Sequence, residues 1–513
     1  MNRYLISLLL FSHSFLFSQQ LPKDLDAYVE KVLKTFNVPG VSVAIVKDGK
    51  VLMAKGYGVK KIGTSEKVDS KTNFSIASNT KAFVGTSLGI LVDEGKIKWN
   101  DRVVEHLPWF QLSDPYVTKE LRVIDLLVHR SGLGLGAGDL LIWPTNTYAQ
   151  KDVVKRFRNI PLATSFRSTY AYDNILYLVA GELIEAVSGV TWDAFVQTRI
   201  FNKLGMNNSA LTFTDAVKKG NAATPHAEIN GIVRPVAASD SAKTNPAATV
   251  NTNAEDIAKW MICQIDSGKM QDGTSLWSPS VTRTLWSVVT PLPVGKVPKE
   301  LSPYQSNFSG YGGGFNLRDY RGKKMVWHTG GLAGFVSLVA MIPEQRIGVA
   351  VFTNQEESGA FYSIGWRVLD HFLNANYDWN TAYKAVKERN DSTNRASESK
   401  TAASRDSLSK PSLALEKYAG KYQDAWYGDI KIEMKEGKLF MQMVPTPSLG
   451  GFLEHYQYNT FIARWSDPEM RADAFVTFNL NPDGSIDNAK MKAVSPATDF
   501  SFDFHDLLLK PVK

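Results

Sequence analysis

Hydrophobic and polar positions follow a helix, strand, strand order at the start of the chain. Apolar residues recur at helical spacing over residues 24–36, which predicts an amphipathic helix. Two apolar runs follow at residues 41–46 and 51–57, and the Asp48-Gly49 pair between them is typical of a hairpin turn. We therefore expect the fold to begin with a helix and an antiparallel pair of strands.

The middle of the chain has mainly helical patterns and then returns to strands. Residues 175–186 have a helical pattern, and Thr252 with Glu255 three positions later is a capping-box signature for another helix. Three short apolar runs and a closing helical pattern follow, at residues 325–328, 335–342, 347–353 and 361–373. This order indicates an α/β (α+β) fold built on an antiparallel sheet.

The composition changes near residue 381. Residues 381–411 are rich in charged and small polar side chains and cannot bury enough surface to fold alone, so we predict a polar linker. Beyond it, apolar and polar positions alternate in short runs separated by turn residues, which predicts an all-β domain over residues 412–513. The last of these runs is Phe500, Phe502 and Phe504. An open sheet and a small barrel both fit the pattern.

The N-terminus has the features of a secretory signal. Arg3 precedes an apolar run at residues 4–17, which is shorter than the about 20 residues that span a bilayer. We predict a signal peptide over residues 1–18, export to the periplasm or the medium, and no membrane span once the signal is removed. The main domain is then expected at residues 19–380.

Composition and charge exclude several classes of protein. The chain of 513 residues is 44% hydrophobic, and its net charge of +7 is small for this length and forms no basic stripe, so we expect no nucleic-acid partner. The single cysteine, Cys263, excludes an intrachain disulfide and has the apolar neighbours of a buried side chain. The histidines are scattered without HExxH, so we expect no metal site and no cofactor. The oligomeric state stays open.

Candidate chemistry begins with the sequence Ser-Asn-Thr-Lys at residues 78–81. Residues three apart share a helix face, so the Lys81 amine can reach the Ser78 hydroxyl and take its proton. Similar SxxK matches at Ser397 and Ser407 lie in the polar segment without apolar periodicity. The first match instead lies between an apolar lead-in and a helical pattern, which predicts Ser78 at a helix start, where free N–H groups favour negative charge.

Two further motifs make the chain resemble a known family. Residues 172–174 read Tyr-Asp-Asn, and residues 328–331 read His-Thr-Gly-Gly. The order SxxK, YxN and a basic residue before Thr-Gly resembles the serine β-lactamases and penicillin-binding proteins, in particular their class C-related esterases and peptidases. The likeness covers roughly residues 24–375 and implies a sheet flanked by helices with a helical subdomain. The C-terminal β domain resembles the lipocalin-like domain of CubicO-type peptidases.

The resemblance implies a role for each motif residue. Ser78 attacks an amide or ester carbonyl and becomes acylated, while Lys81 and Tyr172 carry the proton; which of the two is the neutral base stays open. The backbone N–H groups of Ser78 and Gly331 form the oxyanion hole, and Asn174 bonds Lys81 or the substrate. The substrate-binding set is Asn174, His328, Thr329, Gly330 and Gly331, with the glycines letting a substrate lie against the strand.

The third motif separates the activities that this family offers. Strict β-lactamases have lysine where this chain has His328, and histidine, which titrates near about pH 6.5, is a poorer fixed cation for a substrate carboxylate. We therefore predict a secreted serine hydrolase of the peptidase or esterase type that acts on a small-molecule or peptide substrate. The alternatives are a β-lactamase and, outside the enzymes, a penicillin-recognising or wall-binding protein that does not turn over.

Overall fold

The computed structural model describes residues 20–238 and 245–512, so the predicted signal peptide lies outside the described residues. In this part of the chain no single helix has the length and hydropathy of a membrane span, although the bent pair Ile175–Ser188 and Trp192–Leu204 meets that test when taken together. The helices are α1 Leu25–Phe36, α2 Thr80–Asp93, α3 Val103–His106, α4 Pro115–Glu120, α5 Gln150–Arg156, α6 Ile175–Ser188, α7 Trp192–Val196, α8 Asn202–Leu204, α9 Phe213–Lys218, α10 Ala254–Ile265, α11 Pro279–Leu285, α12 Ser358–Phe372 and α13 Trp379–Ala403.

The strands fall into a large sheet, two small two-stranded sheets and a barrel. They are β1 Gly40–Lys47, β2 Lys50–Gly58, β3 Phe74–Ser75, β4 His226–Ile229, β5 Ile232–Pro235, β6 Asn251–Thr252, β7 Thr290–Pro291, β8 Ser309–Tyr311, β9 Asn316–Tyr320, β10 Lys323–Leu332, β11 Phe335–Ile342, β12 Ile347–Thr353, β13 Gly420–Asp424, β14 Gly428–Lys435, β15 Lys438–Met443, β16 Gly450–Gln457, β17 Thr460–Trp465, β18 Ala474–Leu480, β19 Ile486–Ala493 and β20 Leu508–Pro511. The large sheet has the order β2-β1-β12-β11-β10-β9-β8-β7, and its pairings are antiparallel.

The large sheet is buried on both faces, which explains why its central strands read as continuous apolar runs. Val43 and Ile45 of β1 belong to the core on the side of α1 and α12, whereas Ala44 and Val46 belong to the core on the side of α10. Helix α2 lies between this sheet and the helical block that contains α6, and it is buried along residues 80–91. The predicted antiparallel sheet, flanking helices and helical subdomain are confirmed.

The C-terminal strands close into an eight-stranded barrel within the described residues, from β13 to β20 and back. Alternate residues of β14, such as Ile430 and Ile432, are buried inside it, as the period-two pattern predicted. Closure decides between the two forms that the sequence left open. The barrel shares one apolar core with the main domain, because Leu140 and Leu141 belong to the same buried cluster as Trp426.

Three local predictions differ from the structure. The segment at 381–411 is largely helical, since α13 extends to Ala403; Trp379 and Tyr383 anchor its first turns in the core, and the Ala, Lys, Glu and Arg residues that follow are good helix formers. Helix α10 is capped by Asn253, whose side chain accepts a hydrogen bond from the N–H of Asp256, so Thr252 is not the cap.

The third difference concerns Phe500, Phe502 and Phe504, which do not form a strand. They lie in the connection between β19 and β20, where Phe502 and Phe504 are buried and Phe500 is partly exposed. The polar residues between them bind another segment: the Ser501 hydroxyl donates a hydrogen bond to Asp139, and the Asp503 carboxylate accepts one from the N–H of Gly138. A period of two in this connection therefore reflects loop packing.

Candidate active site

Ser78 is held at the junction of β3 and α2. A 3₁₀ turn at Ala77–Asn79 precedes α2, so the residue lies at a helix start as predicted. Ser337 of β11 fixes the turn, since its hydroxyl donates to the carbonyl of Ile76 and accepts from the side-chain amide of Asn79 at 2.7 and 2.9 Å. Ala77 has a φ of 48°, a left-handed conformation that costs energy for a residue with a Cβ atom. These contacts keep the partly exposed Ser78 side chain in place.

Lys81 lies one turn further along α2 and is fully buried. Its Nζ atom is 3.0 Å from Ser78 Oγ, 2.7 Å from Asn174 Oδ1 and 3.1 Å from the carbonyl oxygen of Ala247. Burial lowers the pKa of the Lys81 amine to about 7, although the carboxyls of Asp139 and Asp173 oppose this shift. A neutral amine next to Ser78 is therefore available near neutral pH and can accept the hydroxyl proton.

Tyr172 is the second proton carrier of the predicted set. Its ring lies 4.9 Å from Lys81 Nζ. Burial raises the pKa of the Tyr172 phenol well above its ordinary value, with the Ser78 hydroxyl lowering it only in part. The phenol makes no hydrogen bond of good geometry to another described residue. Since the phenol keeps its proton and the amine releases one readily, this geometry favours Lys81 as the base and Tyr172 as the acid.

Asn174 links the motif to a carboxyl that the sequence analysis missed. It lies at the N-terminal cap position of α6, where its Oδ1 accepts from Lys81 and its Nδ2 donates to Asp139 Oδ2 at 2.8 Å. Of its two expected partners, Asn174 therefore bonds Lys81. Asp139 is buried, and burial raises its pKa to about 7. No spacing or motif marks this residue, which follows a glycine-rich stretch.

His328 lies on β10 and is buried, with both ring nitrogens bonded inside the protein. Nδ1 donates to the carbonyl of Thr329, because a carbonyl oxygen only accepts, and Nε2 then accepts from the Tyr311 hydroxyl at 2.8 Å. Burial, together with the Lys81 charge, lowers the pKa of His328 to about 3. A neutral imidazole carries no charge toward a substrate carboxylate or toward Tyr172, so the third motif supplies no cation here.

The remaining motif residues lie along the same strand, where Thr329 is half-buried, Gly330 buried and Gly331 exposed. Glycine at 330 is explained by packing, since a Cβ atom there would lie 2.1 Å from the carbonyl oxygen of Ile76. A Cβ atom on Gly331 would meet no described atom within 4 Å. Beyond Trp327, β10 pairs with β11 but no longer with β9, so within the described residues this edge of β10 has no strand partner beside the site. Only Gly331 thus has the open space expected for a substrate.

The C-terminal domain also reaches this site. The Phe500 ring lies edge-on to the ring of Tyr172, with 6.0 Å between centroids. Ser501 Oγ donates to Asp139 Oδ2 at 2.9 Å. These residues follow Asp139 by more than 350 positions, so no pattern along the chain associates them with the motifs.

Comparisons with known proteins agree with the motif set. A family model described as Beta-lactamase matches residues 25–373, and one described as a domain of unknown function (DUF3471) matches residues 404–511. Unguisins hydrolase ungD' of Aspergillus campestris (strain IBT 28561) is 27% identical over 91% of this chain and 88% of its own. Unguisins hydrolase ungD of Aspergillus violaceofuscus (strain CBS 115571) is 28% identical over 91% and 87%. Protein flp of Staphylococcus aureus (strain COL) is 26% identical over 65% and 63%.

Solved structures share the fold. The octameric penicillin-binding protein homologue from Pyrococcus abyssi has a TM-score of 0.59 at 19% identity and covers 95% of this chain and 99% of its own. The crystal structure of SurE with D-Leu has a TM-score of 0.53 at 15% identity, over 95% and 98%. The family model spans more than half of the chain, including Ser78, Lys81, Tyr172 and His328. The chain belongs to the Beta-lactamase family and is a serine hydrolase.

Proposed function

We propose that this protein is a secreted or periplasmic hydrolase that cleaves an amide or ester bond of a small-molecule or peptide substrate through an acyl-enzyme on Ser78. The observation that carries the proposal is the buried Lys81 amine, which lies 3.0 Å from the Ser78 hydroxyl and has a pKa of about 7. Such an amine is neutral often enough at physiological pH to serve as a base. Export rests on the signal pattern of residues 1–18.

In the acylation step, Ser78 Oγ attacks the substrate carbonyl while Lys81 Nζ takes the hydroxyl proton. The oxyanion that forms is held by the backbone N–H groups of Ser78 and Gly331. As the carbonyl bond to the leaving group breaks, Tyr172 gives its proton to the leaving nitrogen or oxygen and regains one from the Lys81 ammonium. Water then attacks the ester carbonyl on Ser78 while Lys81 takes a proton from it. The bond from the acyl carbon to Ser78 Oγ breaks, Lys81 returns the proton to Oγ, and the free acid leaves.

A peptidase or esterase fits better than a β-lactamase because the third motif is uncharged. Both nitrogens of His328 are bonded to Thr329 and Tyr311, so this residue offers no fixed cation to the carboxylate of a β-lactam. The relatives called unguisins hydrolases match 91% of the chain, which includes the C-terminal domain. That breadth of likeness supports a hydrolase in which both domains take part. Membership of the Beta-lactamase family keeps β-lactam hydrolysis as the second candidate.

The test uses the full mature chain with four probes: a fluorophosphonate, p-nitrophenyl esters, D-amino-acid p-nitroanilides and a chromogenic cephalosporin. We expect one phosphonyl adduct on Ser78 by intact-mass and peptide analysis, turnover of the ester or anilide, and loss of both in Ser78→Ala. Ser397→Ala is the matched control, because Ser397 starts another SxxK sequence but is exposed on α13. It should behave like the wild type.

Each other outcome selects an alternative. Rapid cephalosporin hydrolysis would favour the β-lactamase, and a stable adduct without turnover of any substrate would favour the penicillin-recognising protein. If Ser78→Ala cleaved the substrates as fast as the wild type, the assignment of Ser78 as the nucleophile would be wrong. Export is checked separately: the N-terminus of the exported protein should start near residue 19, and an intact N-terminus retained in the cytoplasm would contradict it.

A further inference from the structure

The connection between β19 and β20 forms hydrogen bonds with one short segment of the main domain. The Asp503 carboxylate accepts hydrogen bonds from the backbone N–H of Gly138 at 2.7 Å and from that of Leu140 at 3.1 Å. These are the residues on either side of Asp139. Ser501 adds a hydrogen bond from its hydroxyl to Asp139 Oδ2. The barrel therefore fixes both the backbone and the side chain at this position.

Asp139 is in turn connected to the catalytic amine. Its Oδ2 atom accepts from Asn174 Nδ2, and Asn174 Oδ1 accepts from Lys81 Nζ, which lies against Ser78 Oγ. Asn174 has one acceptor and one donor end, and the bond to Asp139 orients the acceptor toward Lys81. A continuous chain of hydrogen bonds thus runs from Ser501 in the C-terminal domain to the nucleophile.

We propose that the C-terminal domain completes the catalytic site: Ser501 and Asp503 fix Asp139, which acts through Asn174 as the positioning residue for Lys81. The proposal rests on the proposed function, since it assigns Lys81 the role of the base. The catalytic residues remain those that touch the substrate. Asp139, Ser501 and Asp503 act on the reaction only by placing the amine and setting the charge around it.

The charge around Lys81 gives this placement a measurable consequence. The titratable groups that face the amine are Asp139, Asp173, His129, His328, Tyr172 and Tyr177. Those that face Asp139 are Lys81, Asp173, Asp503 and Tyr172. A charged Asp139 stabilises the protonated amine, and the Ser501 hydroxyl stabilises the charged form of Asp139. Removing either group makes Lys81 easier to deprotonate.

A purely structural role for Asp139 makes a different prediction. Its Oδ1 atom is buried without a hydrogen bond to any described residue, so both of its bonds use Oδ2. An asparagine can keep one oxygen in that place and accept the same two hydrogen bonds. Asp139→Asn therefore preserves the packing and removes only the charge, which separates the two roles.

The experiment measures the pH dependence of Ser78 labelling by a fluorophosphonate in the full chain. On the acidic side of the profile, we expect the pH at half-maximal labelling rate to fall by about one pH unit in Asp139→Asn. In Ser501→Ala it should fall by less. Ser501→Thr keeps the hydroxyl, so its pH at half-maximal labelling rate should lie close to the wild-type value. Ser485→Ala is the control, because Ser485 bonds only within the exposed turn between β18 and β19.

A second readout does not depend on catalysis. In NMR spectra of chains carrying 13Cε-labelled lysine, the signal lost in Lys81→Arg identifies Lys81. The titration midpoint of this signal should be lower in Asp139→Asn than in the wild type, and lower by a smaller amount in Ser501→Ala. Unchanged midpoints in Asp139→Asn and Ser501→Ala, with folding intact by circular dichroism, would overturn the proposal. Absence of Ser78 labelling in the wild type would instead contradict the proposed function, while the lysine titration still decides the role of Asp139.

Discussion

Gly330 lies directly against the carbonyl oxygen of Ile76, and a Cβ atom on this glycine would lie 2.1 Å from that oxygen. Ile76 is two positions before Ser78, so the strand that carries the third motif also supports the turn that carries the nucleophile. The next residue, Gly331, has open space at the same position. Two adjacent glycines of one motif thus have different reasons for being glycine.

This difference makes Gly330→Ala and Gly331→Ala a matched pair. The added methyl group at 330 must displace Ile76, which we expect to cost about 1–3 kcal/mol of stability and to slow Ser78 labelling strongly. At 331 the methyl group has room, so the melting temperature should stay at the wild-type value and any loss should be in KM. Equal thermal stability and equal labelling rates in the two variants would contradict this explanation.

The lowered pKa of Lys81 leads us to predict how the reaction rate depends on pH. The base must be neutral, and the pKa of Lys81 is lowered to about 7, so kcat/KM should fall tenfold per pH unit below about pH 7 and level off above it. Arginine stays protonated at all working pH values. Lys81→Arg should therefore lose about 10²–10⁴-fold or more in kcat/KM, while the exposed control Lys98→Arg keeps its activity. A wild-type profile that is flat from pH 5 to 9 would exclude Lys81 as the base.

Tyr172 predicts a dependence on the leaving group. Its pKa is raised well above the ordinary value, so the phenol can donate a proton to a departing amine. Tyr172→Phe should reduce turnover of a p-nitroanilide by about 10²–10⁴-fold and that of a p-nitrophenyl ester much less, because the phenolate leaves without protonation. Tyr170→Phe, two positions away, should change neither rate. Equal losses on both substrates would argue against a role as the acid.

His328 predicts a pH dependence of stability. Its pKa in the folded protein is lowered from 6.5 to about 3, so between these values the unfolded chain binds a proton that the folded chain does not. The stability from neutral His328 is complete above about pH 6.5 and is lost as the pH falls toward 3. Urea unfolding at pH 7 and pH 4 should show that the wild type loses roughly 1–3 kcal/mol more than His328→Gln. An equal loss in both proteins would mean that His328 titrates normally.

The candidate catalytic motif could be found from the sequence because its geometry is local. Ser78 and Lys81 are one helical turn apart, and a helix brings residues at this spacing together whatever surrounds it. The strands and helices were predictable for a similar reason, since periods of 2 and 3.6 follow from backbone geometry. Residue Asn174 and the residues of the third motif were found through the order of the family motifs.

Only the tertiary structure decided the charges and the long-range partners. Burial keeps His328 neutral and lowers the pKa of Lys81 to about 7. Burial in turn depends on how distant segments pack. Asp139 and Ser501 are 362 residues apart, so no periodicity relates them. The sequence by itself determined the fold class and the family and indicated Ser78 as the candidate nucleophile, because these follow from local spacing and motif order. The proposed choice of base, the uncharged third motif and the contact of the barrel with the site depend on packing, which brings together residues that no local pattern connects.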